Sequence, residues 1–478
     1  MSNTIKRSKT QAQTKQDSLS RRKFLQLSGG CGVISALPGL SALLSLNMTN
    51  SAMASAYPMS DYKAMVCIQL AGGIDSFNLL TPYENEEYTD YQTVRGNLAL
   101  AQSDLLPISD SSGRQFGLHP GLGEMQNLYN LGVLAFQANV GTLVQPTTLA
   151  QYLGEKDLPL GLFSHSDQQQ HWQTSVPQSR AQISGWAGRM ADVLTDASNN
   201  NSDVSMNIAL SGVNILQTGR VVSPYVIQDS GATLLKGYNG NGALNRIVSQ
   251  SLDSLLAANY ANLLEKAAAS RQRVSIDAAM EFNEATNSEV IQTRFPDSSL
   301  GKKLEMVAKT IASRTALGQK RQTFFIQIGG WDHHDDVINK QALMLPGVSS
   351  ALKAFYDATV ELGVAKDVVT FSMSDFARTL TTNGNGSDHA WGGNHFVMGG
   401  DVSGTDVYGS YPESLAPGNP FDVGRGRLLP TTSVDQYHAE IARWFGVPND
   451  ANLEMIFPNI RNFYSASDES GPIGFMNS

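Results

Sequence analysis

The sequence predicts an α/β fold built on a doubly wound, mostly parallel sheet with helices on both faces. Apolar runs without alternation are typical of strands buried on both faces, and they occur at 65–70, 133–138, 324–328 and 368–373. Segments with helical spacing alternate with these runs along most of the chain, as in βαβ architectures. Several runs end in glycine-rich polar loops, which is where open α/β sheets place their ligand chemistry.

The first 56 residues are predicted to be an export signal. A polar, basic leader ends at Arg21-Arg22, an uncharged stretch follows from 25 to 46, and Ala54-Ser55-Ala56 closes the segment. A basic region, an apolar region and an A-x-A end form a signal peptide, and paired arginines indicate the twin-arginine type. We therefore expect residues 57–478 to form one mature domain, periplasmic or secreted, with no stable membrane span after cleavage.

Two other interpretations of this segment are weaker. A membrane anchor over 25–46 is disfavoured because the apolar stretch is rich in Gly and Ser. Lipid attachment at Cys31 is disfavoured because Ser28-Gly29-Gly30 matches the usual attachment context poorly.

The composition of the mature chain excludes some partners. Cleavage after Ala56 leaves 27 basic and 42 acidic side chains, a net charge of −15. Such an acidic surface argues against binding nucleic acid or anionic lipid. Cys67 is then the remaining cysteine, so no intramolecular disulfide is possible, and its place in the first apolar run predicts a buried thiol.

The first strand and its neighbours set up the sheet. The run at 65–70 ends in Gly72-Gly73-Ile74-Asp75-Ser76, where Asp75 projects from the strand end as a metal ligand or caps a turn. Residues 84–116 look polar and irregular. A helix over 121–131 then leads to the strand at 133–138, and His119 before it is either a ligand or a hydrogen-bonding group at the helix start.

A second polar stretch, Ser164-His165-Ser166-Asp167, precedes a helix predicted to open at 168–174. A serine at a helix N-terminus can be an activated nucleophile, because the backbone N–H groups there favour an oxyanion. The alternative is that Ser164 or Ser166 is an N-cap.

The remaining segments complete the alternation. We expect helices at 186–194, 300–317, 348–362 and from 432, and short strands at 206–210 and 220–227. The region 244–290 is rich in Ala, Leu, Glu and Arg, lacks Pro, and is predicted to be a helical insertion or lid. His438 in the last helix is expected to pack or hydrogen-bond.

Two loops carry most of the metal-binding side chains. The strand at 324–328 leads into Gly329-Gly330-Trp331-Asp332-His333-His334, and the strand at 368–373 leads into the segment 374–400. The second loop holds Asp375, Arg378, Asp388, His389 and His395. Mixed Asp and His ligands suit zinc or manganese, whereas carboxylate and water suit magnesium or calcium. We predict that the loops converge on one site with one or two divalent ions.

The ligands can be distributed in more than one way. Asp332 pairs with His334 or with His333 on one ion, and Asp388-His389 binds from the other loop with His395 reaching back. Asp75 would bridge or bind a second ion, as in two-metal sites that clamp attacking and leaving oxygens.

Two roles are also possible for Arg378. It neutralises the charge of a substrate through a bidentate contact, or it forms an ordinary surface salt bridge.

On these residues the chain resembles the secreted bacterial family known as domain of unknown function 1501. The motifs are Gly-Gly-x-Asp-Ser-x-Asn at 72–78, Leu-His-Pro at 118–120, Ser-His at 164–165, Gly-Gly-Trp-Asp-x-His at 329–334, Ser-Asp-Phe-x-Arg at 374–378 and Asp-His at 388–389. The family is similar to the alkaline phosphatase and sulfatase superfamily. Members of that superfamily share a doubly wound α/β core, Asp and His ligands for one or two divalent ions, and a nucleophile at a helix N-terminus.

The resemblance implies a role for each candidate. Asp75 resembles the ligand after the first strand, Asp332 and His334 the ligands of one ion, and His395 the late His ligand. Asp375 and the pair Asp388-His389 compete for the second Asp/His position, and Ser164 or Ser166 stands where the nucleophile is expected. The chain departs from the pattern at four positions: Asp375 for Glu, Ala377 for Gly, His333 for Thr and Ala390 for Gly.

The function that follows is an exported metal-dependent hydrolase of phosphate or sulfate esters, with a small-molecule or polymeric substrate that the sequence does not specify. The alternative is a non-catalytic exported protein that keeps the same fold for binding or assembly.

Overall fold

The computed structural model describes residue 59 and residues 61–198, 203–465 and 471–477. The predicted signal peptide, 1–56, lies outside the described residues. Among the helices in these ranges, none has both the length and the apolar character needed to cross a bilayer.

The described residues form fourteen strands, most of them in one large sheet. They are β1 (Lys63–Leu70), β2 (Leu80–Pro82), β3 (Leu106–Ser109), β4 (Gln115–Leu118), β5 (Leu134–Gly141), β6 (Asn207–Ala209), β7 (Tyr225–Val226), β8 (Arg321–Ile328), β9 (Val368–Ser374), β10 (Arg378–Thr382), β11 (Ser387–His389), β12 (Gly393–Gly399), β13 (Val407–Tyr408) and β14 (Thr432–Ser433). The large sheet has the order β13-β5-β12-β9-β1-β8-β6-β7, and β14 also pairs with β5. β1 lies between β8 and β9 and is parallel to both, whereas β12 runs antiparallel to β5 and β9. The prediction of a mostly parallel sheet is confirmed.

Both faces of the sheet are buried, which explains why the central strands lack alternation. Val66 and Ile68 of β1 belong to the larger apolar core, and Met65 and Cys67 belong to a second core. Successive side chains of a strand point to opposite faces, so the two cores lie on opposite sides of the sheet. Cys67 is fully buried, as predicted, and burial raises the pKa of its thiol.

Eleven α-helices lie in the described ranges. They are α1 (Asn85–Arg95), α2 (Gly123–Asn130), α3 (Leu149–Leu153), α4 (His165–Thr174), α5 (Trp186–Ser198), α6 (Ala243–Leu256), α7 (Leu263–Asn287), α8 (Ser299–Ala312), α9 (Val337–Glu361), α10 (Val434–Phe445) and α11 (Asp450–Ile456). Helices and strands alternate as groups along the chain, and β9 to β14 follow one another without an intervening α-helix.

Helix α9 differs from its prediction, which started at 348 because of Pro346 and Gly347. The helix begins at Val337 and carries Pro346 inside it. An interior proline removes a hydrogen bond and costs about 3 kcal/mol. Burial of apolar side chains on both sides of it, including Leu345 and Leu352, offsets that cost.

The segment 84–116 is also more ordered than its polar composition indicated. It contains α1 and most of a small antiparallel sheet of order β2-β4-β3. Tyr88, Tyr91 and Leu98 are buried there, and the two tyrosines belong to the larger core. The hydroxyls of both tyrosines donate hydrogen bonds within the protein. A few amphipathic side chains can therefore order a stretch that lacks apolar runs.

Candidate metal centre

The carboxyl ends of three neighbouring strands bring the polar loops together. Leu70 of β1 is in register with Ile328 of β8 and with Ser374 of β9, so the loops that follow all leave the same edge of the sheet. Gly72 keeps two of them in contact. It has a φ of +121°, and a Cβ atom on it would lie 2.5 Å from the backbone nitrogen of Asp332. A glycine is therefore required for this close approach.

Three imidazoles and one carboxylate converge at this edge. The Oδ1 atom of Asp332 lies 3.2 Å from Nε2 of His334 and 3.7 Å from Nε2 of His389. Its Oδ2 atom lies 3.6 Å from Nε2 of His165. Ligand atoms of His165, Asp332 and His389 all lie within 4.8 Å of one another. The Asp332 side chain is 46% exposed, so the cluster opens to solvent.

The other ring nitrogen of each imidazole faces a hydrogen-bond acceptor. Nδ1 of His165 lies 2.7 Å from Oδ2 of Asp375, Nδ1 of His389 lies 2.7 Å from the carbonyl oxygen of Phe163, and Nδ1 of His334 lies 3.2 Å from Oδ1 of Asp388. Carbonyl and carboxylate oxygens only accept, so each Nδ1 carries the hydrogen and each Nε2 of a neutral ring has a free lone pair. The three lone pairs point into the cluster with Asp332.

This arrangement fits a bound cation. Nε2 of His165 is buried and has no hydrogen-bond partner. Nε2 of His334 and Nε2 of His389 lie only 2.9 Å apart. Lone pairs that face one another repel unless a positive charge lies between them. Histidine ligands whose second nitrogen is held by a carboxylate or carbonyl are also the common arrangement in protein metal sites.

Phe376 supports the rings of the cluster. It is buried, and its ring centroid lies 4.7 Å from that of His165 and 4.4 Å from that of His389. The phenyl ring limits how far either imidazole can rotate, so hydrogen bonds and packing together fix the positions of these ligand atoms.

Arg378 holds Asp332 in place. Its guanidinium donates to the carbonyl oxygens of Gly72, Gly73 and Ser387 and to Oδ1 of Asp332. Burial alone would raise the pKa of Asp332, but the hydrogen bond and charge of Arg378 hold it below its usual value. The prediction that Arg378 binds a substrate anion needs correction, because its side chain is fully buried and its donors are engaged within the protein.

Asp375 and Asp388 contact the Nδ1 atoms of His165 and His334, on the side of the rings away from Asp332, although both were predicted as direct ligands. Oδ2 of the buried Asp375 accepts from the backbone nitrogen of Gly72 at 3.1 Å and from Nε2 of Gln169 at 2.9 Å, in addition to its contact with His165. This oxygen therefore orients His165, whereas the buried Oδ1 atom of Asp375 has no hydrogen-bond partner.

Asp388 has the same position behind His334. One of its oxygens contacts Nη2 of Arg425 at 2.5 Å, and the other accepts from Nδ2 of Asn383 at 3.0 Å. Burial alone would raise its pKa, but Asn383 and Arg425 lower the pKa of Asp388 to about 2. The segment predicted as a plain loop contains the β10–β11 hairpin, which pairs Arg378 with His389 and places both beside Asp332.

Asp75 and His395 are placed outside the cluster, which corrects both ligand predictions. Oδ2 of Asp75 lies 2.5 Å from Nη2 of Arg95, and both side chains are fully buried. His395 is buried in the second core, 3.3 Å from the hydroxyl of Ser372 and against the ring of Trp172. Burial lowers the pKa of His395 to about 3.

The two candidate serines differ in their surroundings. Ser164 is the N-cap of α4, and its hydroxyl accepts from the backbone nitrogen of Asp167 at 3.5 Å. Ser166 is exposed in the first turn of the helix, with its Oγ atom 3.2 Å from that of Ser164. The capping alternative therefore describes Ser164.

Three other histidines lie outside the cluster and have structural roles. His119 accepts from the backbone nitrogen of Gly121 at 2.9 Å, which is the helix-start role considered from the sequence. His333 is buried away from Asp332 against Trp331, so His334 is the residue that accompanies Asp332. His438 stacks on Trp186 at 4.7 Å and does not join the cluster.

Comparison with known families identifies the chain. A family model described as protein of unknown function (DUF1501) matches residues 62–451, which is most of the sequence. The chain belongs to this family. The resemblance drawn from the sequence motifs is thereby confirmed. No curated protein matches the chain.

Solved structures show distant likeness to this DUF1501 member. The lipoteichoic acid synthase LtaP from Listeria monocytogenes is 8% identical with a TM-score of 0.28, covering 78% of this chain and 72% of that one. The PsFucS1 sulfatase from Pseudoalteromonas sp. is 9% identical with a TM-score of 0.31, covering 87% and 73%. A mutant of alkaline phosphatase PafA is 10% identical with a TM-score of 0.27, covering 68% and 64%.

His165 is the member of the cluster that the sequence analysis did not name as a candidate ligand in this DUF1501 member. It is the first residue of α4, between the two serines that attracted the nucleophile interpretation. The available signal was the Asp/His composition of the stretch 164–167. No local pattern indicated that α4 would bring this residue against Asp332, since they are far apart in sequence.

Proposed function

We propose that the protein is an exported metal-dependent hydrolase of phosphate or sulfate esters, with an unspecified substrate. The observation that supports this proposal best is the convergence of three Nε2 lone pairs on the exposed carboxylate of Asp332. Such a donor set, open to solvent on one side, is what a catalytic divalent ion requires. The likeness of the sequence motifs to the alkaline phosphatase and sulfatase superfamily supports the reaction class.

The chain's own residues would each have a defined task. His165, His334, His389 and Asp332 would hold the ion. Asp375, Asp388 and the Phe163 carbonyl would keep the three imidazoles in the tautomer that binds, and Arg378 would keep Asp332 ionised and fixed. When bound, a divalent ion supplies a Lewis acid that polarises a phosphoryl or sulfuryl oxygen.

Ser166 is the better candidate for the nucleophile. The hydroxyl of Ser164 already caps α4, whereas Ser166 is exposed and directly follows the ligand His165. Ser166 lies in the first turn of a ten-residue helix, where the backbone N–H groups and the helix dipole would favour a developing alkoxide.

Arg425 is the candidate for contact with a substrate anion. Its side chain is 49% exposed, and its guanidinium is bound to Asp388, the residue behind His334. It would compensate in part for the acidic surface of the mature chain, which does not favour the approach of an anion.

Hydrolysis of p-nitrophenyl phosphate and p-nitrophenyl sulfate by the metal-loaded protein tests the proposal. We expect turnover of at least one ester, a loss of about 100-fold or more in Asp332→Asn through the missing ligand charge, and a comparable loss in Ser166→Ala. Asp335→Asn is the matched control, because Asp335 is an exposed neighbour of Asp332 that bonds Asn385 outside the cluster. Turnover that survives Asp332→Asn unchanged would refute this site assignment.

The alternative, a non-catalytic binding or assembly protein, is favoured by one feature. Helix α6 buries none of its side chains, and exposed apolar residues continue into the start of α7. They are Leu244, Ile247, Val248, Leu255, Leu263 and Leu264. A metal-loaded protein that hydrolyses neither ester class nor any related ester, yet is assembled through this surface, would support the alternative.

A further inference from the structure

We infer that the centre binds a single divalent ion of the zinc class, because most of its converging donor atoms are imidazole nitrogens and arginines pair with most of the neighbouring carboxylates. This inference rests on the proposed metal centre and adds to it the number and the class of the ion. It narrows the one or two ions expected from the sequence to one.

The donor atoms select the class of the ion. Three of the four converging ligand atoms are imidazole nitrogens, from His165, His334 and His389. Imidazole nitrogen is a suitable ligand for zinc and the neighbouring transition metals. Magnesium and calcium prefer oxygen ligands, and Asp332 is the one carboxylate among the four converging side chains.

The spacing of the donor atoms agrees with a single ion. Two atoms bound to one zinc ion at about 2.0–2.1 Å are roughly 3.4 Å apart in a tetrahedral site. The separations within the cluster are 2.9 Å between the His334 and His389 nitrogens, 3.2 Å and 3.7 Å from these nitrogens to Oδ1 of Asp332, and 3.6 Å from Oδ2 to the His165 nitrogen. His334 and His389 face Oδ1 of Asp332 and His165 faces Oδ2, so an ion bound to this carboxylate would have all three nitrogens around it.

Guanidinium groups hold one oxygen of most carboxylates that a second ion would need, and Oδ1 of Asp75 and Oδ1 of Asp375 are buried without a hydrogen-bond partner. Asp75, the predicted second-ion ligand, is paired with the buried Arg95, and Asp388 is paired with Arg425. Asp332 is shared between the cluster and the buried Arg378. The fully buried Asp75 does not release Arg95 easily, because the arginine would be left without its charge partner, whereas the half-exposed Arg425 is held less firmly.

Asp375 is the one carboxylate of this group without an arginine partner, and its Oδ2 atom contacts the imidazole of His165. With three neutral imidazoles, one divalent ion gives this region a net charge near +1, when Asp332, Asp388 and Asp375 are counted against Arg378, Arg425 and the ion. A second divalent ion would raise the net charge to about +3. The charge balance therefore favours one ion, with enough positive charge left for an anionic ligand.

A titration of the chelator-treated full chain tests the inference. Zn²⁺, Co²⁺, Mg²⁺ and Ca²⁺ are added separately, and bound metal is measured by mass spectrometry after equilibrium dialysis. We expect one equivalent of Zn²⁺ or Co²⁺ and much weaker binding of Mg²⁺ and Ca²⁺. His165→Gln should abolish tight Zn²⁺ binding, and Asp375→Asn should weaken it by about 10–100-fold through loss of ring orientation.

The control is Asp335→Asn, which removes an exposed acid next to the cluster and should leave both the stoichiometry and the affinity unchanged. Two equivalents of tightly bound metal would overturn the single-ion inference and leave the hydrolase proposal standing. Tight binding of Mg²⁺ or Ca²⁺ in preference to Zn²⁺ would overturn the assigned class. One equivalent of Zn²⁺ without ester hydrolysis would support this inference while the hydrolase proposal fails, and no metal binding would overturn both.

Discussion

His334 and His389 face each other through their Nε2 atoms, which lie 2.9 Å apart. Each ring donates its other nitrogen's hydrogen elsewhere, to Asp388 and to the Phe163 carbonyl. Neither neutral ring then has a hydrogen to give to the other. The contact is stable when a cation or an added proton lies between the rings. Because His389 is part of the β10–β11 hairpin, the folding of this hairpin positions one of the proposed metal ligands.

Substitution of Gly72 by alanine should damage the centre. Its φ of +121° and the 2.5 Å approach of a Cβ atom to the Asp332 nitrogen mean that Gly72→Ala adds both backbone strain and a clash. We expect about 1–2 kcal/mol from strain, about 1–3 kcal/mol more from the clash, and a lower affinity for Zn²⁺. Denaturant unfolding and a metal titration measure the two effects.

Gly113→Ala is the matched control for Gly72→Ala. Gly113 also has a positive φ, of +90°, but a Cβ atom there meets nothing within 4 Å. It should show the strain cost alone and normal metal binding. Equal losses of stability and normal metal affinity in both variants would show that the close approach to Asp332 has no role.

Arg378→Met should be strongly destabilising. The substitution leaves the carbonyl oxygens of Gly72, Gly73 and Ser387 without their donor and removes the partner of Asp332. Breaking a buried charged contact of this kind costs about 3–5 kcal/mol. Arg425→Met, which removes a half-exposed arginine from the same region, should cost less than about 1 kcal/mol. Similar unfolding free energies for the two variants would contradict the structural role of Arg378.

Asp75→Asn separates stability from metal binding. The substitution leaves the guanidinium of Arg95 buried without a charge partner, so the protein should lose about 3–5 kcal/mol of unfolding free energy. The metal content of the folded fraction should not change, because Asp75 is not among the converging ligands. Loss of metal at full stability would instead return Asp75 to the ligand role that the sequence motifs implied.

Asp435 should make stability depend on pH. This carboxyl is fully buried in α10, and burial raises its pKa to about 8, against about 3.9 for an unfolded chain. Between these values the folded state binds the extra proton, so the contribution of Asp435 to stability is present below pH 4 and is lost as pH rises towards 8. The slope approaches about 1.4 kcal/mol per pH unit.

Asp435→Asn removes that slope. Relative to the native chain, the variant should gain roughly 2–3 kcal/mol of unfolding free energy between pH 5.5 and pH 7.5. Denaturant unfolding at the two pH values measures this difference. Burial lowers the pKa of His438 well below its usual value in the folded state, so its contribution to the pH dependence should be the same in both proteins. Parallel stability curves for the two proteins would show that Asp435 is ionised in the folded state.

The sheet could be predicted because each central strand is marked by a local apolar run in the sequence. Strands β1, β5, β8 and β9 are short apolar runs buried on both faces, and the edge at which their loops meet follows from parallel pairing. The segment 84–116 and the start of α9 were not predictable in the same way. Order there comes from a few buried tyrosines and from packing around Pro346, which are tertiary effects.

The site was predictable in composition but less so in roles. Asp332, His334 and His389 were named from strand-end position and residue type, and the structure brings them together. Which carboxylates face an ion and which face an arginine depends on the partners Arg95, Arg378 and Arg425, and these lie in other elements. His165 was missed as a ligand for the same reason, since its position depends on how α4 packs against β9.

Anomalous X-ray scattering at the zinc edge, from crystals of the zinc-loaded protein, tests directly whether one ion binds at the proposed metal centre. We predict one strong peak between the Nε2 atoms of His165, His334 and His389 and the carboxylate of Asp332. A peak beside Asp75 or His395, two peaks of equal height, or no peak among the three imidazoles at saturating zinc would contradict it.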